Sequence, residues 1–175
     1  MLRVALGACL LFAWYQGNLA AQANVMTLRE RSRDYLGCYE LRLFDWNTAE
    51  GRDAAASIPN RVMLNPTTLA LRYEGPDSSV IALDLALTPF PGYGSSDFIN
   101  ERWSLSSATD SVVLTWSNAS AGVQAVLALS GSVGAWRLNG RTAAWSDDAG
   151  TVTPGQSATA TLRGRAAGRS VDCDR

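Results

Sequence analysis

Ser111-Val112-Val113-Leu114-Thr115-Trp116-Ser117 sets Val112, Leu114 and Trp116 against Val113 and Thr115, and Asn118-Ala119-Ser120 parts it from a second alternating stretch, Gly122 to Leu129. A period of two over seven or eight residues, broken by a short polar turn, is the pattern of two half-buried strands joined as an antiparallel hairpin. Residues 79–87 repeat it, with Ile81, Leu83, Leu85 and Leu87 opposing Ala82, Asp84 and Ala86. The alternation opens at Cys38, with Tyr39, Leu41 and Leu43 on one face and Glu40 and Arg42 on the other. It returns at 61–64, 68–74, 101–106, 133–146 and 157–166. Turn residues at Glu74-Gly75-Pro76-Asp77, Ala108-Thr109-Asp110 and Gly131-Ser132 join these segments into an antiparallel meander of nine candidate strands.

A single helix is expected ahead of the strands. Thr27-Leu28-Arg29-Glu30 has capping-box spacing and Gly37 can end a helix, which predicts one over residues 28–36. Three longer loops, 45–60, 88–100 and 147–156, interrupt the meander. The middle one, with Pro89, Phe90, Pro91, Gly92, Tyr93 and Gly94, has the composition of a lid over a barrel mouth and equally that of a compact surface loop. The sheet has one strongly apolar face and no second helical layer to cover it. Curling into an all-β barrel of about eight to nine strands buries that face and removes exposed edges; a two-sheet sandwich is the alternative.

The chain's start points to export. Met1-Leu2-Arg3 is a short positive opening, Val4 to Tyr15 is apolar, and Ala21-Gln22-Ala23 offers a small-x-small cleavage site, so residues 1–23 read as a signal peptide and 24–175 as one domain. The apolar run falls short of the roughly 20 residues that span a bilayer as a helix, so no stable membrane span is expected after cleavage. Leu6-Gly7-Ala8-Cys9 resembles a lipobox, but Leu10, Leu11, Phe12 and Trp14 follow where a polar tether is needed, which argues against a lipid anchor at Cys9. Cleavage leaves Cys38 and Cys173, which in an exported chain suggest one disulfide closing almost the whole domain. Two buried free thiols are the alternative.

Composition excludes much chemistry. The chain has 175 residues, 47% hydrophobic and 18% charged, the profile of a globular domain. All 15 basic residues are Arg, and there is no His. Without His there is no Ser-His-Asp or Cys-His apparatus and no imidazole metal ligand. Without Lys there is no Schiff base and no phosphate-gripping P-loop. A formal net charge of -1 gives no electrostatic reason to expect nucleic acid as a partner. Paired carboxylates remain as a route to glycoside hydrolysis, and Asp147-Asp148 is the visible pair. Adjacent residues in a turn point apart, so these are read as turn chemistry or a weak calcium ligand. No catalytic constellation, metal site or cofactor site emerges, and the chain reads as a non-enzyme.

The order of helix, Gly37-Cys38-Tyr39 opening the first strand, meander and Arg-bearing last strand resembles the calycins, the lipocalin and avidin group of small-molecule-binding barrels. In that resemblance Tyr39 stands where lipocalins carry Trp, and Arg163 or Arg165 takes the place of the Arg that packs over it. The chain also resembles exported bacterial proteins that combine a Gly-Cys-Tyr-x-Leu opening, a Trp-Ser segment, a Leu-x-Gly-x-Ala-x-x-x-Ser-Asp stretch and a terminal Cys. The matching residues are Gly37 to Leu41, Trp116-Ser117, Leu138 to Asp147 and Cys173, with Ala143 one position late in the third. That resemblance implies export and a barrel, and no activity.

Two constellations are candidates for binding. Tyr39, Trp103, Trp116 and Trp136 form either the walls of a cavity for a small apolar or amphipathic ligand or the filling of a barrel core. Trp145, on the opposite parity from Trp136, is expected to be partly exposed. On the last hairpin, pairing apolar with apolar sets Leu138 opposite Gly164 and Arg137 opposite Arg165, with Arg141 and Arg163 on the same outer face. Four guanidinium groups together suit a carboxylate or phosphate; splaying into solvent, or pairing with Glu30 and Asp34 of the helix, is the plainer reading. Two functions follow: carriage of an apolar ligand inside the barrel, or an envelope-structural or protein-interaction module with a filled barrel that meets a macromolecule through its loops or Arg face.

Overall fold

A computed structural model describes residues 25–74, 80–89, 98–132, 135–146 and 162–173. Residues 25–34 form helix α1. Then come β1 (Gly37–Phe44), α2 (Ala49–Ala56), β2 (Arg61–Glu74), β3 (Val80–Pro89), β4 (Asn100–Ser106), β5 (Ser111–Ser117), β6 (Ala121–Ser130), β7 (Arg137–Ser146) and β8 (Leu162–Val171). Each strand pairs antiparallel with the next, and β8 returns to β1 from Cys38↔Val171 to Phe44↔Arg165, closing the barrel. That last ladder decides between barrel and sandwich. The expected signal peptide, the turn at 75–79, most of the 88–100 loop and Asp147-Asp148 lie outside the described residues.

The alternation works as the sequence implies. Tyr39, Leu41, Val62, Leu64, Ile81, Leu83, Leu85, Leu87, Trp103, Leu105, Val112, Leu114, Trp116, Ala125, Leu127, Leu138 and Ala166 all point inward and form one buried cluster with Leu28 of α1. Val25, Leu28, Ser32 and Tyr35 repeat at helical spacing, so one stripe of α1 turns to the barrel, with Leu28 and Ser32 buried. The helix closes that end. Arg31 donates to the Thr109 carbonyl and to Asp110 in the β4–β5 turn, both at 3.1 Å, and the Trp136 indole donates to the Asp34 carbonyl at 2.6 Å. The Cys38–Cys173 disulfide, with Cα atoms 5.3 Å apart, ties β1 to the chain's end beside α1. Among the described residues no helix is long and apolar enough to cross a membrane.

Several sequence expectations need correction. The first helix already includes residues 25–27, so Thr27 is inside it and the Thr27–Glu30 spacing is not its cap. The loop 45–60 contains a second helix, α2, whose N-cap Thr48 accepts from the Gly51 amide at 3.2 Å. Only Gly51 of α2 is buried, so no apolar period announces it. Segments 61–64 and 68–74 are one strand: Pro66 has no N–H to give, the register slips between Leu64 and Ala70, and Asn65 Oδ1 takes the Thr67 amide at 2.9 Å. The expected nine strands are therefore eight among the described residues.

The last hairpin is shifted by four residues. Leu138 faces Gly168 and Gly140 faces Ala166, so Arg137 lies opposite Arg169 rather than Arg165, and Arg165 opposes Arg141. Gly164 and Gly168 are both small enough to lie beneath Leu138, and local patterning cannot choose between them. The choice is made by β1, where Val171 pairs with Cys38 and carries β8 five residues past its expected end. Because the shift is even, every side chain keeps its expected face.

Candidate functional site

The interior candidates separate. Tyr39, Trp103 and Trp116 sit inside the barrel at 1%, 0% and 0% exposure. The Tyr39 hydroxyl donates to the Tyr35 carbonyl at 2.9 Å, and the Trp103 indole donates to the Asn65 carbonyl at 3.0 Å. Burial, reinforced by the neighbouring Tyr35, pushes the Tyr39 phenol up to about 12. Trp116, near the end away from α1, finds no hydrogen-bond partner for its indole N–H among the described residues. Trp136 does not join them. It stands half-buried on the α1 rim, its ring edge-on to Tyr35 at 5.4 Å, and latches the helix. Trp145 is half-buried, facing its β6 partner Gly122 across the outer surface.

The far end has a stopper that parity could not reveal. Trp46, just past β1, packs against Gly51 of α2 and Gly164 of β8, where a Cβ would come 2.9 Å from the indole. Ile58 and Phe98 add half-buried apolar cover to the core. Four clefts lined wholly by described residues lie on the outer surface.

The outer face of β1, β8 and β7 holds the second constellation. Arg137, Arg141, Arg163 and Arg165 are all exposed there, joined by Arg42 and Arg169. Across β7–β8, Arg137 opposes Arg169 and Arg141 opposes Arg165; across β8–β1, Ala167 opposes Arg42. Small residues lie between the guanidinium groups. The result is a cleft of about 590 Å³ lined by Glu40, Arg42, Arg137, Asn139, Ala167, Gly168 and Arg169. Glu40 accepts from Arg169 Nε at 3.0 Å and Nη2 at 2.7 Å, and these bonds hold its carboxyl below the usual range. Asp45 stands 3.8 Å from Arg165, both well exposed, a contact of little energetic weight. Arg42 and Arg165 also lie over the Phe44 ring, at 5.9 and 5.7 Å. The acids at this face are thus Glu40 and Asp45 rather than Glu30 and Asp34, and Arg137, Arg141 and Arg163 have no acidic partner among the described residues. Arg42 and Arg169 escaped the sequence reading because only the three-strand register brings them beside the hairpin.

A different outer cluster is centred on Asp84. Asp84 of β3 is 3% exposed although it points away from the core. Arg72 grips both its oxygens, at 2.7 and 2.9 Å, Ser104 donates at 2.6 Å, and Arg102 stands 3.8 Å away. Burial pushes the Asp84 carboxyl up, but the hydrogen bonds from Arg72 and Ser104 and the charges of Arg72 and Arg102 outweigh it, so the group titrates below the ordinary carboxylate range. It is a strand-to-strand clamp with its acceptors occupied.

Comparison of the chain with protein-family models, curated proteins and solved structures finds no match.

Proposed function

We propose that the mature chain is an exported interaction module that works from the outside of a filled barrel, meeting an anionic partner through its arginine face. The observation that carries this is the packing of the interior: three large aromatics and a continuous set of Leu, Val and Ile side chains occupy it, with α1 against one end and Trp46 under α2 at the other. An interior occupied by these side chains leaves recognition to the surface. Export is supported by the apolar start, the small-x-small site at Ala21-Gln22-Ala23 and the Cys38–Cys173 disulfide, since such bonds persist in oxidising compartments.

A second reading, an apolar or amphipathic ligand held inside, draws on the Trp116 indole N–H, a buried donor without a partner among the described residues. A panel of apolar fluorescent probes separates the two. The filled barrel leaves tryptophan emission and melting temperature unchanged at every probe concentration. A saturable change in both, altered by Trp116→Phe, would favour the internal ligand.

A further inference from the structure

On the arginine face, two pairs of like charges lie directly opposite each other on neighbouring strands, Arg137 with Arg169 and Arg141 with Arg165. Such pairs repel and destabilise a sheet unless something lies between them. Four residues of strand separate the pairs, about 13 Å at the rise of an extended chain. Arg42, opposite Ala167, falls between them on the next strand, and Arg163 extends the array beyond the second pair. The neighbouring β6 positions, Val126 opposite Arg141 and Ala128 opposite Asn139, bring no acid to that edge of the face, and its acids are Glu40, bonded to Arg169, and Asp45, 3.8 Å from Arg165, on the β1 side.

Resting on the reading that the barrel works from its outside, we infer that these pairs are two seats for phosphate groups displayed on a lipid surface. One guanidinium fork satisfies a carboxylate's two oxygens, whereas two forks supplied by neighbouring strands match the further oxygen of a phosphate. Charge agrees: Arg141 and Arg165 carry two positive charges against the about 1.5 to 2 negative ones of a phosphomonoester, and at the first pair, where Glu40 offsets one charge of Arg169, Arg42 of the same cleft supplies another. The form of the face favours an extended array over an enclosed small molecule. Six exposed arginines lie along one side of a three-strand sheet, and the cleft between them has a floor of Ala167 and Gly168 and is lined by Arg42, Arg137, Arg169, Asn139 and the Arg169-bound Glu40. With a net charge of -1 the chain has no general attraction to an anionic membrane, so this face sets the orientation of docking.

The test is co-sedimentation of the disulfide-bonded mature chain with three kinds of vesicle: phosphatidylcholine alone, phosphatidylcholine with phosphatidylglycerol, and phosphatidylcholine with phosphatidic acid. Strongest retention is expected on phosphatidic acid, whose headgroup is a phosphomonoester, with weaker retention on phosphatidylglycerol and none on phosphatidylcholine. R137Q/R169Q and R141Q/R165Q should each weaken partition about thirtyfold, because an arginine at an anionic surface is worth roughly a factor of five. Both variants should melt close to the wild-type temperature, since the Arg169–Glu40 and Arg165–Asp45 contacts they give up are exposed, and this separates lost binding from lost folding. Replacing the same four residues by Lys keeps the charge and removes the forks, so binding persists while the preference for phosphatidic acid disappears. Wild-type protein that ignores phosphatidic acid vesicles overturns the inference, as do Gln variants that bind as well as wild type or Lys variants that keep the preference. Arginine-dependent binding of an oligonucleotide or of inorganic phosphate, with vesicles ignored, would give the face to a soluble phosphorylated partner and equally overturn it. Vesicles ignored while apolar probes still find no interior would remove the lipid assignment alone; vesicles bound while probes enter the barrel would remove the filled-barrel reading alone.

Discussion

Tyr39 shows how one buried side chain sets a pH limit. Its phenol, raised to about 12 by burial and Tyr35, ionises near 10 once the chain unfolds. The raised folded value means its contribution is complete below about pH 10 and is lost as pH climbs from 10 through 12. Tyr39→Phe should flatten the alkaline limb of the stability curve, while costing about 1 kcal/mol near neutrality for the bond to the Tyr35 carbonyl; denaturant melts at stepped pH read both effects. Gly140 is a second sensitive point, because a Cβ there would run into the Val126 carbonyl oxygen of the adjacent strand. Gly140→Ala should destabilise by about 2 to 3 kcal/mol, the usual scale of overpacking, in the same melts. Sequence parity correctly put Tyr39, Trp103 and Trp116 inside. It failed for Trp136, which shares the parity of Leu138 but precedes the first residue of β7 and so sits on the rim rather than in the lumen.

Strands were legible where a period of two marked them, α1 from the Thr27–Glu30 spacing and Gly37 although that spacing proves not to be its cap, and elements were illegible where contacts far along the chain decide. α1 carries an apolar stripe and was expected close to its true place; Leu28→Ala should cost about 2 to 5 kcal/mol and loosen that end, seen as faster amide exchange in the β4–β5 turn it covers. α2 has no such stripe, being held by the Thr48 cap and by Gly51 against Trp46. The register of β8 is fixed by β1, over a hundred residues earlier, so local pairing rules placed it four residues out while keeping its arginines on the right face. The Arg72–Asp84–Ser104 clamp across β2, β3 and β4 was hidden for the same reason. Since the Asp84 carboxyl titrates below its ordinary range, the stability it gives is present above its unfolded value near 4 and is lost as pH falls through the folded one. Asp84→Asn should therefore weaken the protein at neutral pH by about 2 kcal/mol, less than the roughly 3 to 5 of a fully buried pair because Arg72 is 43% exposed, and should flatten the acid limb.

For the whole molecule, eight strands in sequence order enclose one core, and a disulfide joining residues 135 apart fastens the first strand to the tail. Replacing both Cys38 and Cys173 by Ser should cost about 4 to 5 kcal/mol in the chain-entropy account, measured as a lower denaturation midpoint. Closure into a barrel was readable because a sheet with one apolar face and no covering layer has few other ways to bury it. Whether such a barrel is full or hollow was not, since Leu and Trp line both kinds, and the two stoppers come from segments without strand periodicity. The central claim is that the interior belongs to the protein's own side chains and recognition to its outside. Native mass spectrometry of the disulfide-bonded protein from its own host, followed by solvent extraction, tests it most directly. The account predicts that the form with Arg137, Arg141, Arg165 and Arg169 all replaced by Gln flies at the mass of the polypeptide alone. A stoichiometric apolar molecule that stays with that variant, where the arginine face can no longer hold it, would contradict the claim and put cargo inside the barrel.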